Sequence, residues 1–151
     1  SMTSTMDILL VEDNPEDVEI TLRAFRKHKF SGNIRVVRDG EEAMEYLFGK
    51  EGDAEKLSCS NTRLILLDLK LPKVDGIEIL QRCKIDPRTK HIPVVVLTAS
   101  KEERDLTETY NLGVNSYIVK PVDFSQFTEA VRQLALYWIE LNRVPSELFS
   151  T

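Results

Sequence analysis

Five short apolar runs, spaced along the chain between helical patterns, constrain its fold more than any other sequence feature. They are ILLV at residues 8–11, IRVV at 34–37, LILL at 64–67, VVVL at 94–97 and SYIV at 116–119, numbered β1 to β5. Such alternation is typical of parallel strands joined by crossover helices. Three runs are continuously apolar, as strands covered on both faces are, whereas the mixed β2 and β5 suit the sheet margins.

The segments between these runs have helix signals, numbered α1 to α5. Asn14 can cap α1, which begins at Pro15 and has two acids in its first turn. The other helices fit residues 40–48, 77–83, 102–112 and 124 to about 141. We therefore expect an α/β fold, a flavodoxin-like doubly wound (βα)5 with a five-stranded parallel sheet in the order 2-1-3-4-5.

Length and composition predict one folded domain. The chain has 151 residues, of which 42% are hydrophobic and 30% charged, so it can bury a core without disulfides or metal. We place the domain at residues 6–143, between a flexible N-terminus at 1–5 and a C-terminal tail at 144–151. Ser1, ahead of Met2, has the character of a residue left by an expression vector.

Charge and cysteine content exclude several function classes. The formal net charge is −5 and no basic run is present, which argues against direct nucleic-acid binding. Cys59 and Cys83 are the two cysteines and form no CxxC motif, so free thiols in a reducing cytoplasm are expected. A cytoplasmic location also follows from the absence of a signal peptide or apolar span, and no membrane association is expected.

Three carboxylates follow the strands at the expected switch point of the sheet, between β1 and β3. Glu12 and Asp13 come directly after β1, and Asp68 comes directly after β3. Ligands bind outside the carboxyl ends of the strands at such a point. Because three close carboxylates repel one another, they suit a hard divalent cation, and Mg²⁺ is the expected cofactor.

Two complementary groups follow β4 and β5. Thr98 supplies a hydroxyl and Lys120 a cation at the same edge of the sheet. With the acids, they suit a phosphoryl group that Asp68 accepts as nucleophile. Singly, each residue has a plainer explanation as a helix-terminus charge or a turn residue, so the interpretation depends on all four strand ends together.

Four sequence blocks carry a family resemblance: ILLVEDNPED, LILLDLKLPKVDG, PVVVLTAS and SYIVKPVD. Over residues 7–141 the chain resembles the receiver domain of two-component response regulators. The resemblance implies that a sensor histidine kinase phosphorylates Asp68, and that Thr98 and Lys120 bind the phosphate. It implies Mg²⁺ ligands at Glu12, Asp13, Asp68 and the backbone carbonyl of Lys70, and a cis bond before Pro121.

The same resemblance implies how phosphorylation becomes a signal. Thr98 would move to the phosphoryl group and Tyr117 would swing inward behind it, which changes the α4-β5-α5 surface. Lys70 and Ser100 match positions that influence phosphate lifetime. From the residues alone, Lys70 can either reach towards the phosphate or lie solvated at the rim.

A narrower resemblance concerns the polar segment at residues 49–63 and the extended end of α5. Both resemble the small response regulators that partner bacterial phytochromes, which implies a stand-alone receiver that forms a homodimer. Leu136, Trp138 and Ile139 could form such an interface or cap the core.

Two other functions are compatible with parts of this pattern. One is a phosphate-independent, receiver-like adaptor, which the complete set of site residues disfavours. The other is a Mg²⁺-dependent phosphohydrolase of the haloacid-dehalogenase type. That class resembles DxD at its nucleophile, whereas Asp68 is followed two places on by Lys70 and Asp13 by Pro15. We expect no enzyme activity beyond self-phosphorylation and autodephosphorylation, and no small-molecule substrate.

Overall fold

The computed structural model describes residues 7–28, 30, 32–49 and 61–142, in which strands and helices alternate. The strands are β1 (Asp7–Val11), β2 (Ile34–Val37), β3 (Thr62–Leu67), β4 (Val94–Thr98) and β5 (Ser116–Val119). The helices are α1 (Pro15–Lys27), α2 (Gly40–Phe48), α3 (Gly76–Ile85), α4 (Glu103–Asn111) and α5 (Phe124–Ala135), which continues as a π-helix at Leu136–Leu141. Cys59, the predicted flexible N-terminus, the C-terminal tail and most of the polar segment 49–63 lie outside the described residues.

All five strands are parallel in the order β2-β1-β3-β4-β5, which confirms the predicted fold class. The register sets the geometry of the carboxyl edge. Val11 pairs with Val37 on one side and with Leu67 on the other, and the Asp68 N–H donates to the carbonyl of Val11 at 3.1 Å. The residues that follow β1 and β3 therefore emerge side by side.

The sheet separates two hydrophobic cores, because successive strand residues point to opposite faces. One core contains Leu9, Val11, Ile65, Leu67, Val94 and Val96, packed against residues of α2 and α3. The other contains Ile8, Leu10, Leu64, Leu66, Val95 and Leu97, packed against α1 and α5. The central strands are buried on both faces, which explains their continuous apolar runs.

Four helices begin at a side-chain cap, and α4 does not. Asn14 accepts the N–H groups of Glu16 and Asp17, and Asp39, Asp75 and Asp123 cap α2, α3 and α5 in the same way. Each such bond stabilises its helix by about 1 kcal/mol. Glu102 precedes α4 without a side-chain cap bond. The start of α4 therefore depends on contacts other than a side-chain cap.

The C-terminal helix differs from its prediction. The α-helical hydrogen bonds end at Ala135 rather than near residue 141, and a π-helix follows in which the Asn142 N–H donates to the carbonyl of Tyr137 at 2.7 Å. Trp138 is buried in the second core and Ile139 packs against it, which supports the core-cap alternative for these two residues. The wider turn was not visible in the sequence because the 3.6-residue pattern continues through it.

The predicted cis bond before Pro121 was wrong. The described residues contain no cis peptide bond. The Lys120–Pro121 bond is trans, the isomer that is favoured by about 0.5–1 kcal/mol in X–Pro bonds.

Two glycines fix the loop between β3 and α3. The Gly40 N–H donates to the carbonyl of Pro72 at 3.0 Å, and a Cβ at Gly40 would lie 2.1 Å from the carbonyl oxygen of Val74. The Gly76 N–H donates to the carbonyl of Leu69 at 3.0 Å, and a Cβ at Gly76 would lie 2.4 Å from the backbone oxygen of Asp68. No larger residue fits either position without a backbone shift.

Asp86, which ends α3, gives a pH-dependent contribution to stability. Its carboxylate accepts the Arg88 guanidinium at 2.8 and 3.0 Å and the Arg88 backbone N–H at 2.8 Å, and these bonds lower the pKa of Asp86 to about 2. The folded state therefore binds a proton on the Asp86 carboxylate more weakly than the unfolded chain does. The stabilisation is present above the ordinary pKa of 3.8 and is lost as the pH falls towards 2.

We expect Asp86→Asn to lower the free energy of unfolding by about 1 kcal/mol at neutral pH, because solvent screens a pair so near the surface. The difference from wild type should narrow below about pH 4. Urea unfolding at several pH values measures it. A difference that stays constant from neutral to acid pH would contradict the assignment, and Arg88→Gln, which removes the partner, should reproduce the pattern.

Candidate functional site

Three predicted acids meet at the carboxyl edge of the sheet. One carboxylate oxygen from each of Glu12, Asp13 and Asp68 lies within 4.8 Å of the others. Glu12 and Asp68 are buried, and Asp13 is exposed at the rim. The direct pairing of Val11 with Leu67 produces this arrangement, because it brings the residues after both strands together.

Lys120 lies among these acids. Its ammonium is 2.6 Å from Glu12 Oε1, 2.8 Å from Asp17 Oδ2 and 3.0 Å from Asp68 Oδ2, and 9% of its side chain is exposed. Two opposing effects set the protonation of this ammonium, namely its burial and its attraction to the surrounding carboxylates. Burial lowers the pKa of Lys120, but the bonds to Asp17 and Glu12 outweigh it and raise the pKa overall. The lysine is therefore a permanent cation at this site.

Burial raises the pKa of Glu12 to about 7, although the Lys120 ammonium opposes the shift. The charged form of this carboxylate is thus poorly stabilised by the protein alone. A further cation at the site would favour its ionised form.

Sequence reasoning missed Asp17. The residue was interpreted as an acid that favours the start of α1, yet it contributes the second-shortest contact to Lys120. The sequence offered no separate signal, because the helix dipole already explains an acid in the first turn of a helix.

The donor set fits a divalent cation. The carboxylates of Glu12, Asp17 and Asp68 contact one ammonium, and that of Asp13 lies within 4.8 Å of two of them, so negative charge exceeds positive charge at this edge. All potential ligands in the cluster are oxygens, the type that hard cations such as Mg²⁺ and Mn²⁺ prefer. The residues that would hold the ion are Glu12, Asp13 and Asp68.

Thr98 ends β4 at the same edge. It is fully buried, its Oγ1 accepts the Ser100 N–H at 3.3 Å, and its carbonyl accepts the Lys120 N–H. The backbone bond joins the predicted hydroxyl and lysine positions directly.

A second polar cluster lies beside the first and includes Lys70, Ser100, Asp105 and Tyr117. Asp105, on α4, accepts the Ser100 hydroxyl at 2.5 Å and lies 3.3 Å from the Lys70 ammonium. Lys70 therefore has a third arrangement, neither directed at Asp68 nor simply solvated. Its backbone N–H donates to Asp68 Oδ1 at 3.3 Å.

Asp105 was also missed from the sequence. It is 2% exposed, and the Ser100 hydroxyl lowers its pKa more than burial raises it, with a further lowering by Lys70. Asp105 and Thr109 are the buried residues of α4, and both are polar. Polar residues four apart where a helix should present an apolar stripe were the available signal.

Tyr117 is half-buried on β5. Its hydroxyl donates to the carbonyl of Ser100 at 3.0 Å, and its ring packs against the first core. The neighbouring surface exposes apolar side chains from all three elements predicted to signal. They are Leu106 and Tyr110 of α4, Val119 of β5, Val122, and Phe124 of α5.

Among the described residues, no helix is both long enough and apolar enough to cross a membrane.

Comparison with known proteins agrees with this geometry. The chain is 44% identical over 138 residues to the probable methanogenesis regulatory protein FilR2 of Methanothrix harundinacea, which covers 91% of this chain and 86% of the relative. It is 37% identical over 139 residues to the response regulator Rcp1 of Synechocystis sp., which covers 92% of each.

Solved structures agree as well. The phosphorylated cyanobacterial phytochrome response regulator RcpA superimposes with a TM-score of 0.82 at 41% identity, over 93% of this chain and 98% of that one. The Mn²⁺-bound form of Rcp1 gives 0.84 at 36% identity, over 92% and 98%. The family model for the response regulator receiver domain matches residues 8–132. The order of the strands, the acids at their carboxyl edge and these matches agree, and the chain belongs to the response regulator receiver domain family.

Proposed function

We propose that this protein is a single-domain response regulator in which Asp68 accepts a phosphoryl group from a sensor histidine kinase in a Mg²⁺-dependent reaction. One observation carries the proposal. Asp68 lies at the carboxyl end of a central strand, beside two further acids and 3.0 Å from a buried ammonium. An isolated carboxylate there would be a turn residue, but a carboxylate between an acidic cluster and a cation is suited to phosphoryl chemistry.

The transfer is an in-line displacement. An oxygen of the Asp68 carboxylate bonds to phosphorus, the bond from phosphorus to the donor histidine nitrogen breaks, and the imidazole that leaves takes a proton from solvent. Autodephosphorylation reverses the modification, because water attacks phosphorus and the carboxylate leaves with its electron pair. A bound Mg²⁺ supplies positive charge that offsets the charge of the phosphoryl oxygens.

The residues of the site divide this work. Glu12, Asp13, Asp68 and the Lys70 carbonyl would hold the metal, the Lys120 ammonium would pair with a phosphoryl oxygen, and the Thr98 hydroxyl would donate to another. The roles are supported by the position of each residue at one edge of the sheet. They are also supported by the titles of the similar structures, one of which is a phosphorylated regulator and another a Mn²⁺-bound one.

Signalling would follow from the contacts of Thr98 and Tyr117. Movement of the Thr98 hydroxyl towards the phosphoryl group removes the acceptor that now binds the Ser100 N–H, and the Tyr117 hydroxyl is bonded to the same residue. Both changes alter the α4-β5-α5 surface, which already exposes apolar side chains suited to a partner or to a second copy in a homodimer.

The kinase partner is proposed to be phytochrome-like, because RcpA is described as a phytochrome response regulator and resembles this chain over 93% of its length. A cytoplasmic location suits such a partner. The phosphate-independent adaptor remains the alternative, since it requires the same fold without use of Asp68. A phosphohydrolase acting on an external substrate is not supported by any feature of the site.

Intact mass after incubation with acetyl phosphate tests the proposal. We expect one phosphoryl group per chain with Mg²⁺ and none when EDTA removes it, because the uncompensated carboxylates then repel the phosphodonor. Hydroxylamine should remove the group, as it does from acyl phosphates. A chain that binds Mg²⁺ by calorimetry yet never gains the mass of a phosphoryl group would favour the adaptor.

A further inference from the structure

Asp105 joins the two loops that border Asp68, although it lies on α4. Its Oδ2 accepts the hydroxyl of Ser100 in the loop after β4, at 2.5 Å, and lies 3.3 Å from the ammonium of Lys70 in the loop after β3. The carboxylate is 2% exposed, so its charge depends on these two partners rather than on water.

Both partners also contact the acceptor site through their backbones. The Lys70 N–H donates to Asp68 Oδ1, and the Ser100 N–H donates to the Thr98 hydroxyl oxygen, each at 3.3 Å. The backbones of Lys70 and Ser100 thus reach towards the site while their side chains are directed to Asp105.

The same carboxylate anchors the start of α4. This helix lacks the side-chain cap that the other four helices have, whereas Asp105, in its first turn, is bonded across to two loops. A change in the side-chain contacts of Lys70 or Ser100 therefore removes a contact of the first turn of α4.

We propose that Asp105 is a positioning residue that holds the Lys70 ammonium and the Ser100 hydroxyl away from a phosphoryl group on Asp68, and so limits the affinity and lifetime of the phosphorylated state. The inference rests on the proposed function. It adds Asp105, which would contact neither the phosphoryl group nor the metal and would act through Lys70 and Ser100, which border them.

The physical basis is competition for one cation. A phosphoryl group brings nearly two negative charges and several acceptor oxygens to the residue two places before Lys70. The Lys70 side chain is 53% exposed and long enough to change partners, whereas Asp105 cannot turn to solvent. When Lys70 leaves, Asp105 retains a buried charge with one partner fewer. The exchange therefore destabilises the first turn of α4, where Asp105 lies. By linkage, whatever binds and stabilises the Asp105-Lys70 arrangement weakens the phosphorylated state.

A double-mutant cycle with beryllofluoride, a stable mimic of the phosphoryl group, tests the inference. Affinity is measured at saturating Mg²⁺ for wild type, Asp105→Asn, Lys70→Gln and the double variant. We expect Asp105→Asn, which keeps the shape of the side chain, to bind about three- to tenfold more tightly and to retain phosphate from acetyl phosphate longer, a range set by the modest strength of half-exposed ion pairs. In the Lys70→Gln background the same substitution should change affinity less than twofold.

Two further variants separate positioning from general effects. Glu102→Gln removes an exposed carboxylate whose charge also acts on Lys70 but which forms no hydrogen bond to it, so its affinity should stay within about twofold of wild type. Ser100→Ala removes the other partner of Asp105 and makes the carboxylate more dependent on Lys70, so beryllofluoride should bind more weakly.

The outcomes distinguish this inference from the proposed function. If wild type binds no beryllofluoride and gains no phosphoryl group, the proposed function fails. If wild type is modified but Asp105→Asn matches Glu102→Gln, or its effect persists without Lys70, the role of Asp105 fails alone. If Asp105→Asn folds poorly, Ser100→Ala still tests the role of Asp105. Tighter rather than weaker binding of beryllofluoride by Ser100→Ala would overturn that role.

Discussion

The Asp68→Asn variant is expected to gain no phosphoryl group from acetyl phosphate at any Mg²⁺ concentration, whereas wild type gains one. The amide has the shape of the carboxylate but lacks the anionic oxygen that attacks phosphorus. Loss of uptake should not reflect unfolding. Three carboxylates share the Lys120 ammonium and a fourth lies beside them, so removal of one charge should leave the metal-free protein as stable as wild type or more so, by about 1 kcal/mol.

Asp13→Asn is the matched control for this variant. Asp13 belongs to the same acidic cluster but is exposed and is proposed only to hold the metal. It should still be phosphorylated, at a higher Mg²⁺ concentration than wild type requires. Intact mass and thermal unfolding of both variants provide the comparison. A hydroxylamine-sensitive phosphate on Asp68→Asn would place the acceptor elsewhere in the chain.

Lys120→Met should lower both the stability of the protein and its rate of phosphoryl uptake, and Mg²⁺ should restore the stability but not the rate. Without Mg²⁺ it leaves Glu12, Asp17 and Asp68 with no ammonium among them, and breaking a buried ion pair in this way lowers stability by about 3–5 kcal/mol. Mg²⁺ should restore much of that loss, because the variant offers the cation a more negative site and binding stabilises the folded state.

Phosphoryl uptake by Lys120→Met should nevertheless remain at least about a hundredfold slower than in wild type at saturating Mg²⁺, since a preorganised cation that offsets developing charge has gone. Urea unfolding with and without Mg²⁺, together with the rate of mass gain, measures both effects. Lys84→Met is the control, because Lys84 is a partly buried lysine whose ammonium bonds to Ile92 and Asn115, away from the acids. Equal losses of stability with and without Mg²⁺ in Lys120→Met would contradict the assignment.

The sequence predicted the features of the site that depend on strand ends. A parallel strand that is covered on both faces has a continuous apolar run, and the residue after that run emerges at the carboxyl edge of the sheet. The pattern alone therefore placed together Glu12, Asp13, Asp68 and Lys120. The sheet order and the marginal positions of β2 and β5 followed from the same runs.

The features that were missed depend on contacts between elements. Asp17 and Asp105 both lie in the first turn of a helix, where an acid has a sufficient local explanation in the helix dipole, and only the packed structure shows that each reaches a lysine from another loop. The bond before Pro121 and the π-helix after Ala135 are likewise settled by tertiary context rather than by local preference.

The anchored loop after Asp68 has a consequence for how chains of this fold can vary in length. Its ends and middle are tied at fixed points, by the Gly76 N–H to Leu69 and the Gly40 N–H to Pro72, and neither glycine has room for a side chain. One inserted or deleted residue between Leu69 and Gly76 would change the length of chain that the Gly76–Leu69 bond closes, and would disturb the segment that directly follows the acceptor. Evolutionary drift in chain length, and any engineered tag or sensor module, must therefore enter at loops remote from this segment.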